Sequence, residues 1–120
     1  MNPSTGFDPW VITDLTPLAG LTSLKKLNLG RHSQGLEEKP PITDLTPLAR
    51  LTGLKCLYLT AVGVSDLAPL ASLSELEYLC LLDNRITDLI PLAGLTKLEH
   101  LCLNLNLVAD LTPLADLTSL

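Results

Sequence analysis

Leucines recur along this chain in a fixed order. The string L-x-x-L-x-L occupies residues 24–29, 54–59, 76–81 and 98–103. Its last residues alternate apolar and polar, the two-residue period of a strand that turns one row of leucines inward and the intervening residues outward. A second phrase begins at Ile12, Ile42, Val64, Ile86 and Val108, reads Ile-Thr-Asp-Leu-Thr-Pro-Leu-Ala in its first copy, and returns at spacings of 30, 22, 22 and 22 residues. A pattern repeated at such an interval predicts stacked units, not one closed core, with four short parallel strands joined by return segments.

The return segments carry their own signals. Pro17, Pro47, Pro69, Pro91 and Pro113 have a fixed φ and no N–H, which suits the first turn of a short helix or 3-10 piece. Thr16, Thr46 and Thr112 precede prolines and are expected to cap those turns. Asp14, Asp44, Asp66, Asp88 and Asp110 recur at one position, where a carboxylate accepts backbone N–H groups of a local turn; they do not read as a catalytic row. Asn84 and Asn106 stand three residues after Leu81 and Leu103, where a buried carboxamide satisfies backbone groups at the bend between units. His32 and Val62 replace asparagine in the first two units, and valine predicts a looser or water-filled bend.

One 22-residue unit does not bury enough aliphatic surface to offset the entropy of ordering its backbone, so stability must accrue through the faces that neighbouring units share, and the ends need covering. Residues 1–10 read as a degenerate N-terminal cap, with Phe7 and Trp10 in the register of a strand leucine and the asparagine. Residues 11–120 then form about four and a half units, with an insertion at 32–41. That insertion is polar and ends in Pro40-Pro41, which predicts a rim loop flanking the sheet. It serves either recognition or nothing beyond connection. Leu120 matches the first leucine of a further strand, so the expectation is a truncated chain, a clipped repeat or an edge closed by a second copy.

The run I/V-x-D-L-x-P-L-A-x-L followed by L-x-x-L-x-L-x-x-N resembles the 22-residue leucine-rich repeats of bacterial internalins, over about residues 11–120. A related subfamily regulates a eukaryotic phosphatase. The resemblance implies an α/β leucine-rich-repeat solenoid with a short parallel sheet on its concave face and 3-10, short helical or extended segments on its convex face. It also implies recognition of a protein on the concave sheet. A fragment of an internalin-like surface adhesin is the alternative, supported by a longer gene with a signal and an anchoring tail.

Composition narrows the function. With 47% hydrophobic but only 3% aromatic residues, the core is built from one repeated aliphatic shape. The formal charge is −5, yet setting aside the five recurrent aspartates leaves eight acids against eight bases. Such a surface does not neutralise phosphates or anionic headgroups, so no nucleic-acid partner is expected. No apolar run is long enough for membrane insertion as a spanning helix, and Met1–Trp10 lacks the form of a secretory leader. Three cysteines cannot all pair within one chain, which favours a reducing, cytoplasmic setting over a secreted or surface one unless the chain is a fragment.

The register lists the outward side chains. Lys26, Cys56, Tyr78 and His100 form one row, Asn28, Tyr58, Cys80 and Cys102 the next, and Gly30, Thr60, Leu82 and Asn104 a third, followed by Arg31, Ala61, Asp83 and Leu105. Tyr58 and Tyr78 lie diagonally, with Leu82 further along, and tyrosine offers large contact area at low entropic cost. The candidate contact face for a protein of unknown identity is therefore Lys26, Asn28, Cys56, Tyr58, Tyr78, Cys80, Leu82, His100, Cys102 and Asn104; the plainer alternative is that the tyrosines decorate a small sheet. Lys55 and Glu77 are expected to be exposed lateral neighbours. Cys80, Cys102 and His100 share a face and suggest zinc, but no fourth ligand stands out, and an adventitious Cys80–Cys102 disulfide competes with it. No nucleophile elbow, phosphate-cradling loop or H-E-x-x-H string occurs, so neither catalysis nor a cofactor is expected. A homodimer through the C-terminal edge is the remaining partner expectation.

Overall fold

The alternating L-x-L tracts form strands and the proline-bearing tracts form tight turns, in strict succession along the chain. The structure, a computed structural model, describes residues 12–31 and 40–120. Strands β1 (Lys26–Asn28), β2 (Cys56–Tyr58), β3 (Tyr78–Cys80) and β4 (His100–Cys102) make one sheet in the order β1-β2-β3-β4. All three pairings are parallel, and Leu27, Leu57, Leu79 and Leu101 stand in register across them. This is the expected interior column: Leu57 and Leu79 are fully buried, and Leu27 and Leu101 pack against the core from its two ends. Full burial of one leucine contributes about 1.5–3 kcal/mol. Because each leucine leans on its counterparts in adjacent repeats, that gain belongs to the interface between units.

On the opposite side the chain makes 3-10 turns at Thr16–Leu18, Thr46–Arg50, Ala68–Ser72, Ile90–Leu92 and Thr112–Leu114, each with its proline in the first turn. The threonines do not cap them. The residue before each turn is a leucine, and no side chain bonds from the capping position. Instead the aspartate two residues ahead accepts the first turn N–H: Thr16, Thr46, Ala68, Ile90 and Thr112 donate to Asp14, Asp44, Asp66, Asp88 and Asp110 at 2.9–3.0 Å. Threonine loses the role because it already lies inside the turn, whereas aspartate has the reach to close it from outside.

At the bends after β3 and β4 the asparagines act as expected. Asn84 is buried; its Oδ1 accepts the Val62 and Val64 N–H groups, both at 3.1 Å, and its Nδ2 donates to the carbonyls of Leu59, Leu81 and Leu82. Asn106 repeats this one unit on, accepting from Ile86 at 3.1 Å and donating to Leu81 and Leu103. Both carboxamides thus bond the preceding repeat as well as their own.

The Val62 bend is not loose, contrary to expectation. Val62 is fully buried, and its own carbonyl accepts the Ile42 N–H at 2.8 Å, taking the place of the missing carboxamide oxygen. Gly63 follows with φ +78°, and a Cβ there would stand 2.6 Å from Pro41 Cβ, so the bend closes against the returning end of the insertion. The expected N-terminal cap of residues 1–10, with Phe7 and Trp10, the His32 bend and most of the insertion lie outside the described residues.

Candidate functional site

Strand pleating sends the residues between the leucines out of the concave face, and the parallel register aligns them into rows. Lys26, Cys56, Tyr78 and His100 form one row, and Asn28, Tyr58, Cys80 and Cys102 the next. The ring centroids of Tyr58 and Tyr78 lie 5.1 Å apart at an interplanar angle of 38°, and those of Tyr78 and His100 lie 5.4 Å apart at 39°. At the other end Lys26 Nζ sits 5.6 Å from the Tyr58 ring centre. One band therefore crosses all four strands, stepping from Lys26 to Tyr58 in the next row and back to Tyr78 and His100, with an ammonium over a tyrosine face and two tilted aromatic contacts. Tilted rings at this separation attract one another beyond their buried area, by about 0.5–1.5 kcal/mol, and hold the band as a firm, amphipathic platform.

Other predicted residues contribute unequally. Lys26, Asn28, His100 and Asn104 are exposed, Cys56, Tyr58, Tyr78, Leu82 and Cys102 are half-buried, and Cys80 is buried. Asn28 Oδ1 is engaged locally, accepting the Gly30 N–H at 2.9 Å. Thr60 Oγ1 lies 3.4 Å from Cys80 Sγ. Burial and the adjoining Cys80 push the Cys102 thiol up from its ordinary range, and the neighbouring Cys102 and burial push the Tyr78 hydroxyl up. The three cysteines are free. Among the described residues no three His, Cys, Asp or Glu side chains gather to hold a metal, so Cys80, Cys102 and His100 do not assemble the zinc constellation that their spacing suggested.

Charges line the rim. Lys55 Nζ and Glu77 Oε2 are 4.0 Å apart with both side chains largely in solvent, a pair that contributes about 0–1 kcal/mol. Arg31, expected to face outward, instead turns back: Nη1 donates to the Pro40 carbonyl and Nη2 to the Ile12 carbonyl at 2.8 Å. It pins the returning end of the insertion to the first repeat and leaves the concave surface to its neighbours. Sequence spacing did not reveal this, because both acceptors are backbone atoms; an arginine next to a polar insertion was the only available signal.

Stacked units with a parallel inner sheet, aspartate-closed 3-10 turns and asparagine bends define a leucine-rich-repeat solenoid. A profile of the family described as Leucine Rich repeats (2 copies) matches residues 74–116. The crystal structure of internalin C2 (inlC2) from Listeria monocytogenes str. 4b F2365 is similar at 44% identity with a TM-score of 0.81, covering 91% of this chain and 45% of that one. Internalin (inlF) from the same strain is 29% identical over 92% of this chain and 43% of its own, at a TM-score of 0.39 that is too low for the overlay to bear on the fold. The chain spans under half the length of these two structures. Comparison with curated proteins finds no match. The chain is built of internalin-like bacterial leucine-rich repeats, a fold that suggests a protein-interaction module. Among the described residues no helix is long and apolar enough to cross a membrane.

Proposed function

We propose that this chain is a non-catalytic module that holds a partner protein against its concave sheet. The observation that carries this reading is the cross-strand band Lys26–Tyr58–Tyr78–His100, with ring contacts of 5.1 and 5.4 Å and the lysine 5.6 Å over the first ring. Such a band offers apolar area with little side-chain entropy left to lose, together with hydroxyl, imidazole and ammonium groups at its margins, which is the composition of an interface hot spot. Leu82 and Asn104 extend it along the strands; Cys56 and Cys102 fill the gaps between the rings, and Asn28 marks its margin.

A pull-down from the source organism with wild type and with Tyr58→Ala plus Tyr78→Ala tests the reading. Loss of one specific partner from the double variant, with the circular dichroism spectrum unchanged, supports the concave face. Retention of that partner sinks the assignment, and its loss on deletion of residues 33–40 would move the contact to the insertion.

A second reading rests on the last repeat, where Leu105, Leu107 and Leu111 are more than 60% exposed. A second copy of the chain docking there would cover them. Sedimentation over a range of concentrations tests this, and a concentration-independent monomer counts against it. The adhesin alternative rests on the similarity to an internalin structure more than twice as long as the aligned segment, and sequencing the gene beyond this segment for a signal and an anchoring tail tests it.

A further inference from the structure

Cys80 and Cys102 stand directly opposite each other on β3 and β4, and both are free. Residues paired across neighbouring strands lie about 4.8 Å apart, and side chains leaving the sheet in one direction keep their Cβ atoms at about that separation. An unstrained disulfide needs Cβ atoms about 3.8 Å apart, so the register disfavours a direct S–S bond. Two metal–sulfur bonds of about 2.3 Å each, placed end to end, span a wider gap and fit the same register without moving the strands. Thr60 Oγ1, 3.4 Å from Cys80 Sγ, has a hydroxyl able to donate to a thiolate there.

The ligand count selects the ion. Zinc in structural sites takes four ligands, and among the described residues no group of even three potential metal-binding side chains forms. Soft cations content with two thiolates are the ions that match this pair. We propose that Cys80 and Cys102 form a dithiolate site for one copper(I) ion on the concave sheet. On binding, each thiol releases a proton to solvent and each sulfur forms one bond to copper; no electron is transferred, because the ion enters as copper(I). The site shares the concave face with the protein-binding reading but does not rest on it, since the two thiols and not the aromatic rings would hold the ion.

The test is an anaerobic competition titration of the full chain with copper(I) against a coloured copper(I) chelator, paired with mass spectrometry of cysteine alkylation. Wild type is expected to retain one equivalent, and either Cys80→Ser or Cys102→Ser to weaken retention by about tenfold or more, while Cys56→Ser leaves it unchanged. In wild type, bound copper should shield Cys80 and Cys102 from alkylation while Cys56 is labelled, a readout that needs no variant to fold. Absence of a retained equivalent, a smaller loss in the two variants, an equal loss in Cys56→Ser, or labelling of all three cysteines alike would each overturn the proposal.

Discussion

Two bends of the same solenoid reach the same closure by different chemistry. At Asn84 one side chain supplies the junction, accepting two N–H groups from the preceding repeat and donating to carbonyls of both repeats. At Val62 the side chain is apolar, and the backbone supplies it: the Val62 carbonyl takes the Ile42 N–H, while Gly63 at φ +78° lets the chain approach Pro41. The backbone groups of a buried bend must be partnered, but the fold leaves open which atoms do it. A carboxamide is portable from repeat to repeat, whereas the backbone solution depends on a glycine and on where the insertion rejoins.

Single substitutions separate the two solutions. Asn84→Ala strands two N–H groups and part of the Leu59 and Leu81 carbonyl capacity at a buried site, and should lower unfolding free energy by about 3 kcal/mol in urea titration. The half-buried Asn106 should lose about 1 kcal/mol on the same substitution, and equal losses at the two sites would break the account of burial. Gly63→Ala combines a left-handed backbone with a contact to Pro41, and should cost about 2 kcal/mol. A neutral result would mean that the Val62 bend does not depend on the glycine.

Ala61 in the same bend has the opposite expectation. It sits at φ 57°, as Asp83 does at 58° and Leu105 at 59°, and Ala61→Gly should raise stability by about 0.5 kcal/mol once relief of the left-handed strain is set against added chain freedom. The aspartate turns serve as the control, since they recur in every repeat whichever bend follows. Bonding to the threonine two residues on holds Asp14, Asp44 and Asp110 below the usual carboxylate range. Their contribution is complete above the unfolded value of about 3.9 and is lost as pH falls through the lower folded values. Replacing all three by asparagine should flatten the acid limb of stability against pH; an unchanged limb would remove the aspartates from the account.

The comparison also explains what could be read in advance. Strands, leucine column, proline turns and asparagine bends were legible because each is a residue type whose role is local or strictly periodic. The aspartates' acceptance of turn N–H groups was legible for the same reason, but the threonine caps were not ruled out in advance, because only backbone geometry shows that Thr16, Thr46 and Thr112 already lie inside their turns. The Val62 bend was misjudged for a related reason: a carbonyl oxygen is present at every residue and leaves no mark in the sequence. The left-handed residues at 61 and 105 were invisible because alanine and leucine do not advertise that conformation, whereas Asp83 is of a type that tolerates it. On the concave face the rows followed from register alone, but the Lys26–Tyr58 contact and the turn of Arg31 toward Pro40 depend on rotamers, which spacing does not encode.

Amide hydrogen exchange at Val62 and Val64 decides most directly whether a buried carboxamide joins one repeat to the next. In wild type both amides should be protected nearly as well as Leu59, which donates to Cys80 at 2.9 Å, and Asn84→Ala should abolish that protection while Leu59 keeps its own. Wild-type amides at 62 and 64 that exchange at the rate of an open surface turn would contradict it.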